Sequence, residues 1–72
     1  MKNLSELKLG TKAVIDSFSD KELALKLMEM GCLPGEKIHI ERKAPLGDPI
    51  AISISGYVLS MRKAEAKTIL VN

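Results

Sequence analysis

The chain has 72 residues and a mass of 7.9 kDa, so we expect a single domain spanning 1–72. Hydrophobic residues make up 46% and aromatic residues 3%, so the core must be built from aliphatic side chains. The 11 basic and 9 acidic residues leave a net charge of only +2, which gives little attraction to nucleic acid. A core this small leaves little room for an enclosed active site. We therefore expect neither a nucleic-acid-binding protein nor an enzyme.

Cysteine usage and the lack of long apolar runs predict the compartment. The single Cys32 cannot form an internal disulfide, whereas small secreted domains usually carry several. The first residues lack the apolar stretch of a secretory signal, and no run approaches the roughly 20 apolar residues that span a bilayer. We expect a cytoplasmic, soluble protein without direct membrane insertion.

The first elements in the chain are a short turn and a strand. Residues 3–7 favour one helical turn with Asn3 as its cap, and this turn ends by Gly10. Residues 11–18 alternate in the manner of a strand, with Ala13 and Ile15 on one face.

The clearest signal is a helix. Ser19 and Glu22 have the spacing of a capping box, and Gly31 is a natural helix terminator, so the helix runs through residue 30. Its core stripe consists of Leu23, Leu27 and Met30, with Ala24 on the flank. Leu25 falls on the polar side and Met28 at the edge of the stripe, so this helix carries more apolar surface than one stripe needs.

Four further strands follow the helix. Residues 33–36 match a type II turn, with proline second and glycine third. Alternating or β-favouring runs then predict strands over 37–43, 50–54, 57–61 and 68–71, with a loop over 44–49 and a short helical turn over 62–67. Short, closely spaced strands with one real helix indicate a mainly β fold, a small β-barrel whose closure would remove exposed strand edges.

Few residues suggest chemistry. His39 is the only histidine and lies on the outward face of a predicted strand, seven residues from Cys32. A metal site usually combines several Cys, His, Asp or Glu side chains, so we interpret His39 as a solvated side chain and keep it as a weak metal candidate. Cys32 is interpreted as a buried, inert thiol, and it is the second weak candidate. A transition-metal site for iron or zinc therefore stays an open alternative.

What remains is a surface that binds another protein. Three apolar residues lie at positions that a 72-residue domain is not expected to bury: Leu25 and Met28 on the helix, and Leu46 in a polar loop. Scattered exposed apolar residues are common in proteins. If these three lie on one side, however, they form a patch suited to a partner.

Four segments of the chain resemble the FeoA family of ferrous iron transport proteins. They occur in the same order as in the family, and the resemblance runs over nearly the whole chain, from residue 4 to residue 71: LSELKLG at 4–10, LMEMGCLPGEKI at 27–38, APLGDPI at 44–50 and SGYVLSMRKAEAKTILV at 55–71. Ser60 and Met61 depart from the pattern, standing where the family often has Ala and Leu.

This resemblance implies an SH3-like barrel and a small cytoplasmic accessory or regulatory protein of bacterial ferrous iron uptake. It implies a partner, the cytosolic GTP-binding region of a FeoB-type permease, and it implies no catalytic residues and no cofactor. The same fold occurs in DtxR-type metal-dependent repressors, so a metal-binding (Fe/Zn) carrier or sensor is the alternative. A third interpretation is a weak homo-oligomer, in which free strand edges or the same apolar patch pair two copies.

Overall fold

The computed structural model describes residues 1–72 and contains six strands and two helices. A 3₁₀ turn, Leu4–Glu6, follows the first strand. The strands are β1 (Lys2–Asn3), β2 (Lys12–Phe18), β3 (Lys37–Lys43), β4 (Ile50–Ile54), β5 (Tyr57–Met61) and β6 (Ile69–Val71), and the helices are α1 (Lys21–Glu29) and α2 (Lys63–Ala66). The predicted mainly β fold with one principal helix is confirmed. Neither helix is long and apolar enough to cross a membrane.

The strands form one antiparallel sheet in the order β1-β6-β2-β3-β4-β5. Strand β2 pairs with β3 through residues 12–14 and with β6 through residues 15–18, with a register shift in the second ladder. A second register shift lies between Ile40 and Arg42 in the ladder of β3 with β4. Such irregularities bend and twist strands, which lets six short strands curve around one core.

The expected closure of the sheet is wrong, because β1 and β5 do not pair with each other and the sheet keeps two edges. Helix α1 is tied to the sheet by a hydrogen bond near each of its ends. At its beginning, the Ser19 amide donates to the Thr68 carbonyl at 2.9 Å, just before β6. At its end, the Tyr57 hydroxyl at the start of β5 donates to the Met30 carbonyl at 2.6 Å.

The core is aliphatic, as the composition predicts. The face predicted for β2 is confirmed as the inward one, because Ala13 and Ile15 are buried, and all three isoleucines of β4 are at most 1% exposed. Phe18 packs only partly buried against the core cluster. The fully buried large side chains are Leu4, Ile15, Leu27, Cys32, Ile38, Ile40, Ile50, Ile52, Ile54 and Ile69.

Helix α1 begins one residue later than predicted. The N-cap is Asp20, whose carboxylate accepts from the Leu23 amide at 3.0 Å, so the Ser19 capping box is wrong. Ser19 instead directly follows β2, and its amide donates to the Thr68 carbonyl. The helix ends at Glu29, one residue before the predicted end, and Met30 is its C-cap. The predicted terminator is confirmed, because Gly31 follows with a φ of +101° that favours glycine.

Candidate functional site

The structure places two of the three predicted contact residues on the surface. Leu25 on α1 is 66% exposed, and Leu46 in the β3–β4 loop is 89% exposed. Met28 is half-buried, so it offers a partner less area. Exposed aliphatic side chains of this size bury favourable area when a partner covers them.

A buried carboxylate fixes the position of α1. Glu65 on α2 is the only buried charged residue, and its carboxylate accepts from Lys26 Nζ at 2.8 Å and from the Arg62 amide at 2.8 Å. The hydrogen bond from Lys26, and then the one from Arg62, lower the pKa of the Glu65 carboxyl. Because Lys26 is on α1 next to Leu25, this pair links the segment that carries Leu25 to α2.

The β3–β4 loop is attached to the same short helix. Asp48 Oδ1 accepts from the Lys63 amide, the first residue of α2, at 3.0 Å. Within the loop, the Gly47 amide donates to the Ala44 carbonyl at 2.7 Å. Leu46 therefore projects from an ordered turn. Helix α2 is the common support of α1 and of this loop, and so of Leu25 and Leu46.

The two weak metal candidates are not brought together. Cys32 is fully buried in the core, and burial, followed by the charge of Glu65, raises the pKa of its thiol to about 11. His39 lies on the surface of β3, where its Nδ1 is 2.5 Å from Glu41 Oε2. Hydrogen bonds from His39 and then from Ser53 lower the pKa of the Glu41 carboxyl. No three His, Cys, Asp or Glu side chains are grouped so that they could hold a metal ion.

The largest groove of the protein lies away from the predicted contact residues. It has a volume of about 540 Å³, runs along β2, β3 and the β4–β5 turn, and is lined by His39 among others. None of Leu25, Met28 and Leu46 lines it. A position outside this groove suits contact with another protein better than binding of a small ligand.

The sequence interpretation missed several exposed apolar residues. Leu9, Leu33, Tyr57 and Val58 are 64%, 47%, 43% and 57% exposed. Leu9 and Leu33 stand beside turn residues, which is a signal of exposure that could have been used. Tyr57 also follows a turn, but its contact with Met30, 27 residues away, had no signal in the sequence.

Comparison with known proteins places these features in a family context. Residues 2–72 match the family model described as the FeoA domain. A curated relative from Porphyromonas gingivalis, the Fe(2+) transport protein A/Fe(2+) transporter FeoB fusion protein, is 38% identical over 69 residues. The match covers 94% of this chain and only 8% of the fusion protein.

Solved structures show the same fold. The FeoA-like protein from Clostridium acetobutylicum is 46% identical, with a TM-score of 0.89, over 99% of this chain and 84% of that one. The Stenotrophomonas maltophilia FeoA complexed with zinc is 31% identical, with a TM-score of 0.84, over 100% and 91% of the two chains. That protein is described as a procaryotic SH3 domain protein, so the predicted SH3-like fold is confirmed, with its barrel left open between β1 and β5.

A more distant likeness extends to metal-dependent regulators. A manganese-dependent transcriptional repressor is 15% identical, with a TM-score of 0.88, over 97% of this chain and 35% of the repressor. At this identity the likeness shows the fold alone.

Proposed function

The chain belongs to the FeoA family, which is involved in ferrous iron transport, and from that premise we propose a specific role for it. It is a cytoplasmic, non-enzymatic accessory protein that binds the cytosolic GTP-binding region of a FeoB-type permease. Its action is regulatory and rests on protein–protein contact.

The fusion relative carries this proposal. In that Porphyromonas gingivalis protein, a segment similar to 94% of this chain is part of one polypeptide with a FeoB transporter. A covalent link raises the effective concentration of two modules that act on each other. A separate chain of the same family would make the same contact by binding.

The residues that support binding are the exposed Leu25 and Leu46, with Met28 three residues after Leu25 on α1. Leu25 and Leu46 are exposed, and α2 anchors both of the elements that carry them. Covering one such leucine fully is worth roughly 1.5–3 kcal/mol. Loss of one of them therefore weakens the complex by about tenfold or more.

A binding assay with matched variants tests the proposal. Calorimetry with the purified cytosolic domain of the cognate permease should show binding by the wild-type chain and at least about tenfold weaker binding by Leu25→Glu and Leu46→Glu. Leu9→Glu is the control, because Leu9 is 64% exposed and lies on another segment. Unchanged affinity in Leu25→Glu, Met28→Glu and Leu46→Glu would refute the assignment of these residues to the contact. If the wild-type chain does not bind, the permease domain is not its partner.

A further inference from the structure

Strand β5 presents an open edge of the sheet. It pairs only with β4, and the two-residue turn at Ser55–Gly56 makes Ile54 and Tyr57 a directly opposed pair. In an antiparallel ladder such a closing pair is hydrogen-bonded, and bonded pairs alternate with unbonded ones. The N–H and C=O groups of Val58 and Ser60 therefore point away from β4. No turn, loop or side-chain hydrogen bond in the protein reaches them.

The β5 edge has none of the usual protection against pairing. Proteins blunt edge strands with lysine, proline, bulges or a covering element. The sequence of β5 is YVLSM, its ladder with β4 is regular, and Val58 is 57% exposed. The other edge of the sheet, β1, has only two residues. The β5 edge is thus the one place where another strand can add.

The two ends of the β5 edge carry opposite charges. Arg62 follows the last residue of β5 directly. At the other end, the Ser55 hydroxyl donates to the Glu36 carboxylate, which holds that carboxylate beside the β4–β5 turn. A second copy of the same edge, laid antiparallel, brings the basic end of each strand to the acidic end of the other.

We propose that this protein forms a two-fold symmetric dimer in which the β5 strands of two copies pair antiparallel about Leu59. In this register Val58 of each copy is opposite Ser60 of the other. The outward N–H and C=O groups of both residues then form hydrogen bonds between the two copies. Arg62 then lies opposite Gly56 of the second copy and beside its Glu36. The contact occurs twice because of the symmetry. The proposal does not depend on the permease contact, which uses α1 and the β3–β4 loop.

A backbone variant tests the strand pairing. The Val58 amide points away from β4, so Val58→Pro removes an outward donor without removing a ladder bond, a position where edge strands tolerate proline. Sedimentation of the wild type and of the control Val58→Thr should show dimers that increase with concentration up to the millimolar range. Val58→Pro should dimerise at least about tenfold more weakly. A wild type that stays monomeric, or a Val58→Pro chain that dimerises like Val58→Thr, would overturn the proposal.

A charge-swap experiment remains informative even if Val58→Pro does not fold. Glu36→Lys and Arg62→Glu each replace both attractive pairs of the dimer by repulsive ones, and each should dimerise about tenfold more weakly alone. Mixed in equal amounts, the two variants restore both pairs in a heterodimer, so association should return to the wild-type level. General damage to either fold cannot produce that recovery. A mixture no more dimeric than its components would overturn the proposed register.

Discussion

The hydroxyl of Tyr57 occupies the space that a side chain at Gly31 would need. A Cβ built on Gly31 would lie 1.9 Å from Tyr57 Oη, which donates to the Met30 carbonyl at 2.6 Å. The bare backbone at Gly31 therefore allows the first residue of β5 to bind the end of α1. This contact joins the helix to the open edge of the sheet.

The first prediction concerns the cost of a methyl group at this position. Gly31 and Gly35 both have φ near +100°, at +101° and +92°, but Gly35 has no atom within 4 Å of an added Cβ. Gly35→Ala therefore reports backbone strain alone, about 1–2 kcal/mol. Gly31→Ala should cost about 1 kcal/mol more, because the tyrosine must move and lose its hydrogen bond. Urea denaturation of both variants measures the difference.

A second background isolates the contact with the tyrosine. In Tyr57→Phe the clashing oxygen is gone, so the excess cost of Gly31→Ala over Gly35→Ala should shrink toward zero. An excess that persists unchanged in this background would mean that the hydroxyl is not its cause.

The second prediction concerns pH and Glu65. Its folded pKa is lowered from an ordinary value of 4.5, so its contribution to stability is present above that value and is lost as pH falls through the folded pKa. Glu65→Gln, which loses the charged bond to Lys26, should cost about 1 kcal/mol near pH 7. The difference in unfolding free energy between the wild type and Glu65→Gln should then become smaller below pH 4.5.

A surface carboxylate serves as the control for Glu65. Glu29 on α1 is exposed, so Glu29→Gln should change stability by less than about 0.5 kcal/mol. Equal effects of the two substitutions at neutral pH would show that the Lys26–Glu65 pair does not anchor α1.

The third prediction concerns the reactivity of Cys32. Its thiol is fully buried, with a pKa raised to about 11 from 9.0, which lowers the thiolate fraction near pH 8 by about a hundredfold. A thiol reagent such as DTNB should modify the folded protein far more slowly than a small free thiol, and modify it fully in urea. Rapid stoichiometric labelling without urea would contradict this burial.

The fourth prediction addresses metal binding. His39 and Glu41 supply one imidazole and one carboxylate, whereas structural and catalytic zinc sites use at least three protein ligands. Anaerobic titration with Fe(II) or Zn(II) should therefore show no tight stoichiometric site, and His39→Ala should titrate like the wild type. Stoichiometric binding that disappears in His39→Ala would favour the carrier or sensor alternative.

Much of the fold could be predicted because its strands alternate cleanly. Alternation places Ile38 and Ile40 on one face of β3 and the three isoleucines on one face of β4. All five side chains are buried in the structure. The bounds of β3, β4 and β5 match the prediction because turn residues flank them. Exposure of Leu25 followed from its helical position between Lys21 and Glu29, and exposure of Leu46 from its polar loop.

What could not be predicted depends on contacts between distant parts of the chain. The N-cap of α1 shifts to Asp20 because the Ser19 amide donates to the carbonyl of Thr68, 49 residues away. The short β1 strand exists only through its pairing with β6. The open edge of β5 is a property of sheet order, and the position of Tyr57 over Gly31 needs the whole fold. The local sequence pattern contains no information about contacts between residues so far apart in the chain.

The pairing of Lys2 with Val71 places the two ends of the domain side by side. A few linker residues would be enough to join these ends into a ring. Cutting the ring at the exposed Ser55–Gly56 turn would then give a circular permutant with the same strand neighbours. For the same reason, a tether attached at either end leaves from one edge of the sheet. A domain with this arrangement of its ends can be fused to a larger polypeptide through its first or its last strand without a change in its core.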